Sequence, residues 1–207
     1  MGTPYPMGEH SHTHDDALGT RRHALRESLR HAAASFKRDG PEFALAGSYA
    51  LWVYGGPEPV HDVDFVVAES DVDAAAATLG GAGFQLLPCP EDWLFKAYRE
   101  TAAEVVVDVL FRINRVSVTA AALRHAEVRD VLAIPMPVLP PTCVITHKLR
   151  AFDEHNCDFG ALLPGVRAVR ESVDWAQVRA ATADSPFATA FLCLCDGLGI
   201  AAPVMRT

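Results

Sequence analysis

The sequence predicts an α/β chain of the α+β kind, with a small mixed β-sheet and flanking helices followed by a helical C-terminal subdomain. Three observations carry this. Short apolar runs alternate with amphipathic stretches up to about residue 139. The run VVVDVLF, residues 105–111, is almost continuously apolar and reads as a central strand. Beyond Pro140-Pro141 only helical periodicity remains, which places a subdomain boundary at that proline pair.

Residues 1–14, MGTPYPMGEHSHTH, combine Pro, Gly and alternating histidines with almost no periodic apolar content, and are expected to form a flexible tail. His10, His12 and His14 are either solvated or a transition-metal set without a second ligand cluster. From Asp15 to Arg38, Leu18, Leu25, Leu29 and Phe36 are spaced for one helical face, and Asp39-Gly40 ends the helix. Phe43 to Ala46 is a short buried strand, Gly47 its tight exit, and Ser48 the N-cap of a helix reaching Tyr54, stopped by Gly55-Gly56-Pro57. A strand from His61 to Ala68 follows, then an Ala-rich helix from about Ser70 to Gly80-Gly81. Phe84 to Leu87, Trp93 to Arg99 and Glu104 to Arg112 are further strands. The core is thus residues 15–139, and the subdomain 140–207 holds helices over Thr142 to about Glu154, Phe159 to Glu171, Trp175 to Thr182 and Pro186 to Leu198.

Half of the 207 residues are apolar and 21% are charged, the composition of a globular chain with a real core. A net charge of −8, with only 18 Lys plus Arg, argues against a broad face that grips duplex DNA. The five cysteines, 89, 143, 157, 193 and 195, are odd in number and lack CxxC spacing, so neither a disulfide framework nor a zinc site is expected, and reduced thiols in a cytoplasm fit best. No basic start precedes an apolar segment and no run approaches about 18 apolar residues, so neither secretion nor a membrane span is expected.

Chemistry concentrates in ALAGSYALWVYGGPEPVHDVDFVV, which begins at residue 44. In a strand Asp62 and Asp64 point the same way, while Val63 and Phe65 point into the core. Two adjacent carboxylates repel unless a cation sits between them, and hard oxygen ligands suit magnesium, which shares its shell with phosphate oxygens. The stretch therefore reads as a nucleotide-handling site.

The order of an apolar strand, Gly47-Ser48, a helix, 13 intervening residues and Asp62-Val63-Asp64 resembles the nucleotidyltransferase superfamily with the DNA polymerase β-like fold. That resemblance implies a third carboxylate on a neighbouring strand, which Asp108 supplies; an aspartate inside so apolar a run is costly unless it faces a metal or a partner. VITHKLRAFDEHNCDF, residues 144–159, is similar to the Lys-containing helix and following Asp of minimal, AbiEii-like bacterial nucleotidyltransferases, with Lys148 and Asp158 at the matching positions. The resemblance covers roughly residues 40–200.

What it implies is transfer of a nucleoside monophosphate from an NTP to an acceptor hydroxyl on a small molecule, a tRNA end or a protein, with Mg2+ or Mn2+ as cofactor. Asp62 and Asp64 hold one metal and Asp108 shares a second; Gly47 and Ser48 cradle phosphate; Lys148 neutralises phosphate charge; Asp158 orients Lys148 or the acceptor. An antitoxin or homodimer partner is a further implication. The competing reading is a catalytically silent nucleotide-binding or regulatory protein, and convergence of all three aspartates within about 4 to 6 Å separates the two. Other readings stay open residue by residue. Ser48 can be a purely structural cap, Asp108 a buried ion-paired aspartate, and Lys148 a solvated helix residue. Tyr49, Trp52 and Tyr54 are core packing or a base-stacking set; Arg21, Arg22, Arg26 and Arg30 are a solvated helix face or an RNA-facing stripe.

Overall fold

A computed structural model of the chain describes residues 10–99 and 105–201, with side chains from residue 17 onward. Residues 1–9 of the expected tail, Glu104 at the expected strand start, and residues 202–207 lie outside the described residues, as do the side chains of His10, His12 and His14. Helix α1 spans His10–Asp39 and so begins five residues before Asp15, inside the stretch expected as tail. The last Pro and Gly before it are Pro6 and Gly8, and no helix breaker stands between His10 and Asp15.

The remaining elements are β1 (Phe43–Leu45), α2 (Gly47–Val53), β2 (Asp62–Val67), α3 (Val72–Gly81), β3 (Gln85–Leu87), β4 (Leu94–Tyr98), β5 (Val106–Leu110), β6 (Arg112–Ile113), β7 (Val116–Ser117), α4 (Ala120–Leu123), β8 (Glu127–Val131), β9 (Ile134–Val138), α5 (Pro141–Arg150), α6 (Phe159–Val169), α7 (Trp175–Ala181) and α8 (Pro186–Gly197). Among the described residues the main sheet runs β3-β4-β5-β2-β1-β9-β8. The pairs β2–β5 and β1–β9 are parallel and the others antiparallel, which makes the sheet mixed as predicted. β5 lies between β4 and β2, the central place expected for the apolar run.

The hairpin β8–β9 has no counterpart in the sequence reading, because Pro135 and Pro137 argue against a strand. The sheet accommodates them by parity. The Leu139 N–H donates to the Leu45 carbonyl at 2.9 Å, so the odd-numbered positions of β9 face β1. The nitrogens of Pro135 and Pro137 therefore point away from β8, and the β8–β9 ladder loses no donor to them, while β1 pairs with β9 only at Val138. The helix expected to run to about Glu154 instead ends at Arg150, because the Asp153 carboxylate accepts the N–H groups of His155 and Asn156 at 2.8 Å each and turns the chain.

Two aromatic clusters lie in one continuous core. Phe36 of α1, Phe43 of β1 and Phe65 of β2 pack with ring centroids 5.2 to 5.7 Å apart under the α1 side of the sheet. Phe152, Phe159 and Phe191 form the second, among the C-terminal helices, at 5.2 to 6.2 Å. The α1 arginines are largely spoken for by the loop before β2. Arg26 makes a two-pronged pair with Glu58 at 2.6 and 2.7 Å, and Arg21 donates to the carbonyls of Val60 and His61. Arg30 pairs with Glu27 on its own helix at 3.1 Å. No described helix is long and apolar enough to cross a membrane.

Candidate active site

β2 and β5 run side by side in register, with Asp64 opposite Asp108. The alternation of β2 sends Asp62 and Asp64 to one face, so the two strands gather three carboxylates. One oxygen of each of Asp62, Asp64 and Asp108 lies within 4.8 Å of the others. Asp108 is buried, at 7% exposure, and its Oδ1 has no hydrogen-bond partner among the described residues. Its Oδ2 accepts from Lys96 Nζ at 2.8 Å. Lys96 sits on β4 directly opposite Asp108, so one transverse row of the sheet holds Asp64, Asp108 and Lys96.

The electrostatics follow from this crowding. Burial pushes the Asp64 carboxyl up to about 7; the charges of Asp62 and Asp108 push the same way, and the Lys148 ammonium opposes them. Burial likewise raises Asp108, against the pull of Lys96. Carboxylates that resist ionising together are a set that a hard cation stabilises.

Gly47 touches the site in a way the spacing did not reveal. Its φ is +56°, and a Cβ built there would stand 1.8 Å from Asp64 Oδ2. Glycine is required because Asp64 lies against the backbone at this point, and the Ala46 N–H also donates to the Asp64 carbonyl at 2.9 Å. Ser48 is not the N-cap of α2. Ala46 holds that position with no side-chain cap, and Ser48 is half-buried one residue inside the helix.

A cleft of about 800 Å³ opens in front of Asp64, between β2, the end of β5, the β6–β7 turn and α5. Gly47, Asp64, Trp93, Arg115, His147 and Lys148 are among its walls. Lys148 therefore comes to the same space as Asp64. Asp158 does not line the cleft. It is exposed, and its carboxylate caps α6 by accepting the Ala161 N–H at 2.9 Å. The ten-residue spacing from Lys148 is consumed by the Asp153 turn, which leaves Asp158 free to start the next helix.

The aromatic set falls outside the cleft. Tyr49 is fully buried with Trp52 edge-on at 5.7 Å, and Tyr54 bonds Glu127 at 3.1 Å beneath the Arg129 guanidinium. Four residues around the cluster and the cleft escaped sequence reading. Lys96 is a charged residue in the middle of the five-residue strand LFKAY, a signal that was present but ambiguous without the β4–β5 register. Asn114 and Arg115 form the β6–β7 turn with φ of 51° and 68°, the geometry of a type I′ turn that usually announces itself by glycine. His147 is buried enough that its imidazole is held below the usual range, with Arg150 adding to the effect.

No protein-family model matches the chain, and no curated protein matches it. Solved structures do. The solution structure of the antibiotic-resistance factor ANT(2'')-Ia is 12% identical over 88% of this chain and 98% of that one, with a TM-score of 0.56. An antigenic nucleotidyltransferase-like protein from Paracoccidioides brasiliensis is 12% identical over 90% of this chain and 95% of that one, with a TM-score of 0.52. At this identity the likeness is one of architecture, and what it shows is that the mixed sheet and its helices form a nucleotidyltransferase-like fold.

Proposed function

We propose that this chain is a metal-dependent nucleotidyltransferase that moves a nucleoside monophosphate from an NTP to an acceptor hydroxyl. The observation that carries the proposal is the convergence of Asp62, Asp64 and Asp108, with Asp64 in the wall of a cleft large enough for a nucleotide. The residues suit a hard divalent cation, since every donor is a carboxylate oxygen and Asp108 Oδ1 is buried without a partner. Asp62, Asp64 and Asp108 would hold magnesium or manganese, which when bound offsets triphosphate charge and lowers the pKa of the acceptor hydroxyl.

In the reaction a bond forms between the acceptor oxygen and the α-phosphorus. The bond from that phosphorus to the bridging oxygen breaks, pyrophosphate leaves with the electron pair, and the acceptor proton passes to water or a cluster carboxylate. Lys148 stabilises the charge that grows on the phosphates, from the α5 wall. Gly47 lets the chain pass close to Asp64 and the phosphates, and Ser48 offers its hydroxyl beside them. Arg115, with no ion pair among the described residues, stands at the cleft wall as a second cation for phosphate. Asp158 acts on this site only by starting α6, a structural role in place of the nucleotide-binding one implied by the AbiEii-like resemblance. That subgroup, and the toxin role and antitoxin partner it carries, therefore rest on Lys148 alone.

The test is transfer of α-labelled ATP, GTP, CTP and UTP, with Mg2+ or Mn2+, to tRNA, to the protein itself and to a panel of antibiotics including aminoglycosides. Label on one acceptor is expected from the wild type and at least about a thousandfold less from Asp62→Ala/Asp64→Ala. Metal-dependent NTP binding without transfer to any acceptor would instead favour the silent reading.

A further inference from the structure

Lys96 is the one ammonium bonded directly to the carboxylate cluster among the described residues, and it takes Asp108 Oδ2 at 2.8 Å while Oδ1 stays unpartnered. The contact is not a loose surface pair. The side chains of Lys96 and Asp108 are 29% and 10% exposed, and the β4–β5 pairing sets the two residues face to face. From the other side Asp64 faces Asp108 across β2–β5. The buried carboxylate thus has a cation on the β4 side and a second, buried oxygen without a partner among the described residues.

We propose that Lys96 fills the place of a second cation, so that the nucleotide-free site takes up one divalent ion and not two. The inference rests on the nucleotidyltransferase reading and deepens it. Three carboxylates carry three negative charges, and one divalent ion together with one ammonium balances them. A second divalent ion bound to Asp108 on the β4 side would have to approach the oxygen that Lys96 already holds, and would meet a like charge there. The sheet holds the Lys96 backbone opposite Asp108 for as long as β4 pairs with β5, which keeps the ammonium within reach of the carboxylate. Lys96 is then a positioning residue. It holds Asp108 in place through Oδ2 beside Asp62 and Asp64, a task that otherwise falls to metal.

Titration of the full-length protein with Mn2+ alone, following free Mn2+ by electron paramagnetic resonance, tests this. Wild-type protein is expected to bind one ion. Lys96→Met is expected to bind a second, or to bind the first at least about tenfold more tightly, because a like charge has been removed from the cluster. Lys96→Arg, which keeps the charge, is expected to stay at one ion with affinity close to wild type. Lys96→Gln, which keeps a donor for Asp108 but not the charge, replaces Lys96→Met should the apolar variant fail to fold. Two ions on the wild type, or an uncharged variant with the wild-type isotherm, would overturn the inference while leaving the nucleotidyltransferase reading intact. Absence of Mn2+ uptake by the wild type would overturn both. A purely structural Lys96 would change the melting temperature and leave the ion count unmoved.

Discussion

Val63, Phe65 and Val67 turn to one face of β2 and are fully buried, whereas Asp62 and Asp64 turn to the other and are only partly buried, Asp64 in the cleft wall. The same six-residue strand DVDFVV thus serves two environments through its period of two. On the apolar face the neighbours are interchangeable in kind: Phe36 and Phe43 surround Phe65, and burial of ring area sets the energy. On the acidic face they are not. Asp64 is fixed by Gly47 beneath it, Asp108 beside it and Lys148 across the cleft, and each neighbour works through charge or contact distance. The difference teaches that ring burial and carboxylate charge are laid out one residue apart on this strand, by its period of two.

The sharpest way to break the comparison is on the apolar face. Phe65→Ala removes a fully buried ring and is expected to destabilise the fold by about 3 to 5 kcal/mol, read by urea or thermal unfolding. The protein that remains folded should bind Mn2+ as the wild type does. Loss of metal binding by folded Phe65→Ala would show that the two faces are coupled.

The acidic face has the opposite signature, a cost that appears only when its charges are left alone. In metal-free protein Asp64 titrates at about 7, above its value of 3.8 in an ordinary setting, so the folded state holds a proton that the unfolded chain has already released. The stability that this proton brings is fully present below about pH 4 and is lost as pH rises through 7; the raised Asp108 carboxyl adds to the same trend. Chelated wild-type protein should therefore be less stable at pH 8 than at pH 5, by on the order of a few kcal/mol. Asp64→Asn should flatten that difference, and saturating Mg2+ should reverse it; melts at the two pH values decide.

The smallest expected effect on stability comes from the residue that joins the faces. Gly47→Ala puts a side chain at a φ of +56° and a Cβ into the Asp64 carboxylate. It is expected to cost about 1 to 2 kcal/mol in stability yet about a hundredfold in transfer, because Asp64 must move. Equal losses in both would place Gly47 on the structural side of the comparison.

Much of this was legible in the amino-acid order. The central strand, the Asp62-Val63-Asp64 pair and Asp108 each announce themselves locally, because apolar runs and period-two alternation are properties of neighbouring residues. What failed to show was whatever depends on which strands lie side by side. Pro135 and Pro137 conceal β9, since only the parity set by β1 makes them harmless. Asp158 seemed paired with Lys148 by spacing, and the Asp153 turn sends it to cap a helix instead. Ser48 sits where a cap is expected, and the chain starts its helix two residues earlier, at the Ala46 boundary.

By itself, then, the sequence determined the alternation of strands and helices up to about residue 112, the helical character beyond the Pro140-Pro141 pair, and the identity of three acids, two of them with one face in common. Only the tertiary structure decided that β4 lies against β5 in the register that puts Lys96 on Asp108, and that the backbone at Gly47 passes beneath Asp64. The reason is range. Helical and strand periods are fixed by neighbours a few residues apart, while register and close approach are set by packing between segments tens of residues apart, which no local pattern encodes.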